Sequence, residues 1–135
     1  MGLNESRIYE DDPSILSDER LFRRIPRTWI NWDEHGTPSI SSAAFKDEEL
    51  SVNIESVLAR NGHQPEDSLR KYPGYGLAAI TAAHARSLNQ AVAYDPLPDE
   101  PAHGIVYGYK KRGGVYSRLC DGAHWVITPL QSYVG

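Results

Sequence analysis

The sequence predicts an α+β fold: one small domain with a mixed or antiparallel sheet and short helices. Three observations predict it. The candidate strands are short β-prone runs, such as Leu21–Ile25, Leu50–Ile54 and His103–Tyr109. The candidate helices are equally short. The two kinds of element do not alternate strictly, as a doubly wound parallel sheet would require. At 135 residues, 40% hydrophobic and 24% charged, the chain can bury one core but not two full domains.

Each element has a local reason. Residues 1–16 are polar and acidic, contain Pro13, and read as a flexible N-terminal arm; residues 17–135 form the domain. Ser17–Arg20 can open one helical turn. Leu21-Phe22-Arg23-Arg24-Ile25 reads as the first strand, stopped by Pro26. Thr28–Trp32 is β-prone and runs into the turn cluster Asp33-Glu34-His35-Gly36. Leu50-Ser51-Val52-Asn53-Ile54 alternates apolar and polar residues, the pattern of a half-buried strand. A short helix is expected over Glu55–Arg60, ended by Asn61-Gly62. A second is expected over Pro65–Lys71, with proline first, acids early and bases late.

Tyr72-Pro73-Gly74-Tyr75-Gly76 is a turn. Leu77–Ile80 reads as a strand, followed by a helix over 82–89 capped by Thr81. Ala91–Tyr94 is a strand, and Asp95–Ala102 a proline-rich loop. After the strand His103–Tyr109, Lys110–Gly114 is a turn, Val115–Asp121 a short helix ended by Gly122, and His124–Ile127 a closing strand before Pro129.

Composition narrows function. The net charge of −4 and the small size of the basic spots, Arg23/Arg24/Arg27 and Lys110/Lys111/Arg112, disfavour nucleic acid as a partner. No apolar run is long enough to span a membrane. The single cysteine, Cys120, gives no internal disulfide. Residues 1–7 lack a signal-peptide core, so a cytoplasmic location is the expectation, and Gly2 with Ser6 matches a lipidation pattern too short to weigh. Eight Tyr and three Trp against two Phe suit half-buried sites and interfaces.

No phosphate-binding Gly-rich loop, nucleophile elbow, H-E-x-x-H or C-x-x-C occurs. Three clusters remain. Asp95, Asp99, Glu100 and His103 in a proline-stiffened loop have the chemistry of a cation site or an acid/base pair; a surface connection is the plainer interpretation. Cys120 and His124 have a spacing open to metal or to an activated thiolate, but lack further ligands nearby. The third cluster is Arg23, Arg24, Ser41, Lys46, Tyr75 and His103. Arginine suits phosphate because its planar fork donates two parallel hydrogen bonds, and tyrosine can stack on a base.

An early Arg-bearing strand followed by a serine-rich segment resembles the dinucleotide grip of ADP-ribosyltransferase-like folds. The resemblance implies Arg on phosphate, Ser on ribose, an aromatic stack, and a Glu that polarises the ribose. Here the chain departs from it, since no Glu follows Glu100, and neighbouring strand residues such as Arg23 and Arg24 point to opposite faces. The segments LFRRIP (21–26), SSAAFKD (41–47), PGYGLA (73–78), and Asp95-Pro96-Leu97-Pro98 with Pro101-Ala102-His103 are similar to a family of small bacterial proteins without an assigned activity. That resemblance implies a bacterial origin and directs attention to Arg23, Lys46, Tyr75 and His103.

With no complete catalytic motif, the first expectation is a small accessory domain that binds a protein partner without catalysis, with Trp29, Trp32, Trp125 and Arg23 available to an interface. The alternative is a nucleotide- or NAD-binding domain of ADP-ribosyltransferase-like character, with a cleft formed by Arg23/Arg24, Ser41, Lys46, Tyr75 and His103. The alternative requires Arg23 and His103 to share one pocket.

Overall fold

The computed structural model describes residues 9–132. Among the described residues there are eight strands: β1 (Arg20–Ile25), β2 (Ile30–Trp32), β3 (Pro38–Ile40), β4 (Glu49–Ile54), β5 (Gly76–Thr81), β6 (Ala91–Tyr94), β7 (His103–Tyr107) and β8 (His124–Ile127). Three helices join them: α1 (Glu55–Arg60), α2 (Ala82–Ser87) and α3 (Val115–Asp121). Six strands form one sheet in the order β6-β7-β4-β1-β5-β8, and β2 pairs with β3 in a separate hairpin. Every pairing is antiparallel. The fold class is therefore α+β, as the irregular mixture of short elements predicts.

The β1 sequence explains the two layers. Leu21 and Ile25 point to the main core, where Leu50, Val52, Ile54, Ala78, Ile80 and Val106 meet Phe45 and Leu119. Phe22 points to the opposite face and packs with Leu77 and Ala79 in a smaller cluster, against Leu58 and Leu69. One strand thus supplies both layers through its period of two. α1 ends as Asn61-Gly62 predicts: Gly62 takes φ +75°, and Gly62 and His63 donate to the Ala59 and Leu58 carbonyls. Thr81 caps α2 by accepting from the His84 N–H at 3.1 Å.

Several expectations need correction. Arg27–Trp29 is a 3-10 turn, so only the end of the expected 28–32 strand forms β2. Pro26 fixes its φ, and its carbonyl accepts from the Trp29 N–H at 2.9 Å, closing a turn. The expected 65–71 helix is a 3-10 turn over Pro65–Leu69, cut short by the following Tyr72–Gly76 turn.

The arm is docked over its described part, while residues 1–8 lie outside the description. Ile15 is buried in the main core. Asp11 accepts from the Val92 N–H and from Arg86 Nε, both at 2.9 Å, so this segment covers the outer edge of β6.

Lys110 is not part of a surface basic spot. It is fully buried, and its ammonium donates to the carbonyls of Glu48 (2.9 Å), Val106 (2.9 Å) and Gly108 (3.1 Å).

One irregularity prepares the site. β1 pairs with β5 along its whole length, and β4 with β7 over five residues. Between β1 and β4, however, only Leu21↔Ile54 and Phe22↔Asn53 are in register. Beyond Phe22 the central strands diverge and the sheet splits.

Candidate ligand cleft

The split is held open by an arginine. Arg23 donates from Nε to the Ala44 carbonyl and from Nη1 to the Ser51 carbonyl, both at 3.0 Å. The second bond satisfies a β4 carbonyl where no β1 ladder partner is available. The Arg23 guanidinium also lies 5.7 Å from the Trp29 ring centre, and Asp47 approaches it only to 3.7 Å from solvent. Burial lowers the Arg23 pKa; Asp47 opposes that shift and Arg24 adds to it. The group remains cationic at neutral pH, because a guanidinium starts so high.

Arg24 points to the other face. Its Nε donates to the Ser68 carbonyl at 2.6 Å, and Nη2 meets Glu100 Oε1 at 3.3 Å. Asn53 Nδ2 donates to the same carboxylate oxygen, also at 3.3 Å. The Tyr72 ring covers the Arg24 guanidinium at 4.2 Å, and Tyr75 packs against Tyr72 at 5.3 Å. This assembly of Arg24, Asn53 and Tyr72 is common to two adjoining lobes of one cleft.

The first lobe, about 280 Å³, is lined by aromatic and cationic groups: Phe22, Arg23, Trp29, Tyr72, Tyr75 and His103. No carboxylate lines it. The second lobe, about 240 Å³, mixes charges: Arg70, Lys71 and His63 face it, as do Asp67, Asp99 and Glu100. The two lobes therefore differ in kind. The first gathers Arg23, Arg24 and His103 beside flat apolar walls, with their carboxylate partners Asp47, Glu100 and Asp95 outside its lining, whereas the second has carboxylates within its own lining.

His103 sits at the start of β7, in register with Asn53. Its ring is buried, and Nδ1 lies 2.9 Å from the Asp95 carbonyl and 3.1 Å from the Asp95 carboxylate. Arg23 and His103 thus line one pocket, as the ligand-site alternative requires, and Arg24 and Tyr75 join them. Arg23 and Arg24 reach it from opposite faces because β1 ends its β4 pairing beside them.

Two predicted residues do not line either lobe. Ser41 caps the 3-10 turn Ser42–Phe45 by accepting from the Ala43 N–H. Lys46, at the end of that turn, is exposed. Both belong to a local motif whose function is to deliver Phe45 to the core.

Other lining residues escaped the sequence reading. Ser51 and Asn53 were visible as the polar half of an alternating strand. Glu100 and Trp29 stood out for other roles, a cation cluster and an interface, because their place here comes from the return of distant loops to the split.

The proline-rich loop does not gather its acids around a cation. Asp95 turns to His103 and Glu100 to Arg24, and among the described residues no group of three or more His, Cys, Asp or Glu is placed to hold a metal. Cys120 donates to the Ile40 carbonyl, and burial, aided by Asp121, pushes its thiol pKa up, away from thiolate character. The tryptophans proposed for an interface are half-buried scaffold: Trp29 and Trp32 lie beside Arg23 and Arg27, and Trp125 donates to the Pro38 carbonyl. No helix among the described residues is long and apolar enough to cross a membrane.

Comparison of the chain with protein-family models, curated proteins and solved structures finds no match.

Proposed function

We propose that the domain binds a nucleotide or NAD-like ligand in the cleft where β1 and β4 part. The observation that carries this reading is the first lobe: two guanidinium groups and a buried imidazole beside four aromatic rings, with no carboxylate in its lining. A phosphate group is the anion that paired guanidinium groups suit, because they recognise it with directed N–H donors. Tyr72, Tyr75 and Trp29 offer faces and edges for a base or nicotinamide ring. Arg23 donates to two backbone carbonyls and Arg24 to one carbonyl and the Glu100 carboxylate, and each keeps further N–H groups for a ligand.

The likeness to an ADP-ribosyltransferase-like grip is supported by Arg24 and the tyrosine pair, and Glu100 adds a carboxylate at the junction of the lobes. Ser51, rather than Ser41, is the serine available to a ligand here. A protein-binding accessory role draws less support, since the tryptophans that would anchor it are packed into the scaffold.

The test is thermal unfolding of the purified domain with NAD, ADP-ribose, ADP and AMP. A ligand at 100 times its dissociation constant stabilises the fold by about 2.7 kcal/mol. In a domain of this size that raises the melting temperature by roughly 6–12 °C. The shift should vanish in Arg24→Met. A flat response to all four compounds overturns the reading.

A further inference from the structure

We propose that the cleft is a hydrolytic site, in which His103 is the general base and Asp95 the residue that positions it. The bond cleaved is the pyrophosphate linkage of a nucleoside diphosphate-type ligand. This rests on the ligand reading above and extends it from binding to turnover.

The argument begins with the ring nitrogens. Both groups beside His103 Nδ1, the carbonyl and the carboxylate of Asp95, are acceptors. Nδ1 therefore carries the hydrogen, and in the neutral ring the lone pair stands on Nε2. Nε2 has no hydrogen-bond partner among the described residues. A single residue thus fixes both tautomer and ring orientation through two contacts.

The support is stiff. Leu97 and Glu100 exchange backbone hydrogen bonds at 3.0 Å in both directions, and the Asp95 N–H returns to the His103 carbonyl at 2.9 Å. The Asp95–His103 pair is therefore clamped across the base of the proline loop.

The base lines the lobe that carries both arginines. Phe22, Asn53 and His103 lie side by side on β1, β4 and β7. At strand spacing, His103 stands about 10 Å from β1. Arginine side chains from β1 and a bound phosphate group would lie over Asn53, which stands between the two strands. Arg23 and Arg24 would neutralise the non-bridging oxygens as charge builds on them. His103 would face them from the other side.

In the step, Nε2 takes a proton from water as the water oxygen forms a bond to one phosphorus. The P–O bond to the bridging oxygen breaks, and its electron pair leaves on the second phosphate. The proton on His103 then passes to that phosphate or to solvent. One water is consumed and two phosphate monoesters, or a monoester and inorganic phosphate, are released.

The experiment follows ADP-ribose and ADP with the full chain by phosphorus NMR, alongside binding by calorimetry. The wild type should convert the diphosphate signals to monophosphate signals. His103→Gln should bind within a few-fold of wild type and lose roughly 100-fold or more in turnover. Asp95→Asn, the safer variant for folding because Asp95 is more exposed, should keep binding, slow turnover, and displace the pH profile. Circular dichroism checks that each variant folds. Binding without turnover in the wild type overturns the hydrolytic inference and leaves the ligand reading standing. Turnover undiminished in both variants also overturns it. Absence of binding removes both.

Discussion

Replacing Lys110 with methionine should remove a specific pH dependence of stability. The ammonium is fully buried, with one carbonyl for each of its three hydrogens. Burial pushes its pKa down from 10.5 to about 8, with Glu48 and Asp47 pulling it back up and Arg23 adding to the fall. In the unfolded chain lysine titrates near 10.4. Between these values the unfolded state holds a proton that the folded state has released, so stability rises with pH. The slope approaches 1.4 kcal/mol per pH unit, and the whole window is worth about 3 kcal/mol. Below pH 8 both states are protonated and the cost of burying the charge is fully present. Cys120, whose thiol pKa is raised, acts in the opposite sense at high pH, which is why the comparison must be with a variant.

The assay is urea unfolding of wild type and Lys110→Met from pH 7 to 10.5, read by circular dichroism. The wild-type free energy minus that of the variant should climb by about 3 kcal/mol across the range. A flat difference would mean that the three carbonyls keep the ammonium charged throughout, and would refute the reasoning. A falling difference would refute it more strongly.

Other outcomes follow from the same structure. Arg24→Met should abolish nucleotide-dependent stabilisation and cost the free domain about 1–3 kcal/mol, since Glu100 and the Ser68 carbonyl lose a charged donor; undiminished NAD binding in a calorimeter would contradict it. Gly104→Ala should destabilise by about 1–3 kcal/mol, because its Cβ would sit 2.7 Å from Ile54 Cδ1 and 3.0 Å from the Ala93 carbonyl oxygen; an unchanged melting temperature would show that the sheet yields there at little cost. Glu55 is held below the usual carboxylate pKa by its hydrogen bond to Arg20, so its contribution is present above the unfolded carboxylate range and lost as pH falls through the folded value. Because the pair is a third exposed, Glu55→Gln should flatten acid unfolding only slightly, by about 0–1 kcal/mol. Cys120 should alkylate with iodoacetamide more slowly in the native domain than in urea, and equal rates would place the thiol in solvent.

Much of the backbone was legible locally. Leu21–Ile25, Leu50–Ile54 and Ala91–Tyr94 announce strands through β-branched residues and alternation, and the Asn61-Gly62 and Thr81 signals mark helix ends where the structure has them. These features depend on neighbours a few residues apart, which is the range over which propensity and capping act.

The site was legible only as a set of suspects. Arg23, Arg24, Tyr75 and His103 stand out by their chemistry, and their shared pocket depends on where β4 stops pairing with β1. Ser41 and Lys46 stand out on equal grounds and fall outside the lining, one as a cap and one in solvent. Lys110 reads as one of three basic residues in a turn, yet the tertiary structure buries it under the distant Glu48 carbonyl and the nearby carbonyls of Val106 and Gly108. Glu100 gains a partner 76 positions away. By itself the sequence determined the strands of the main sheet, their buried faces and the fold class, but not the β2–β3 hairpin, because periodicity is written into the longer strands and not into three-residue ones. Only the tertiary structure decided the strand order, the split in the sheet and the company each charge keeps, because those depend on pairings between segments far apart in sequence.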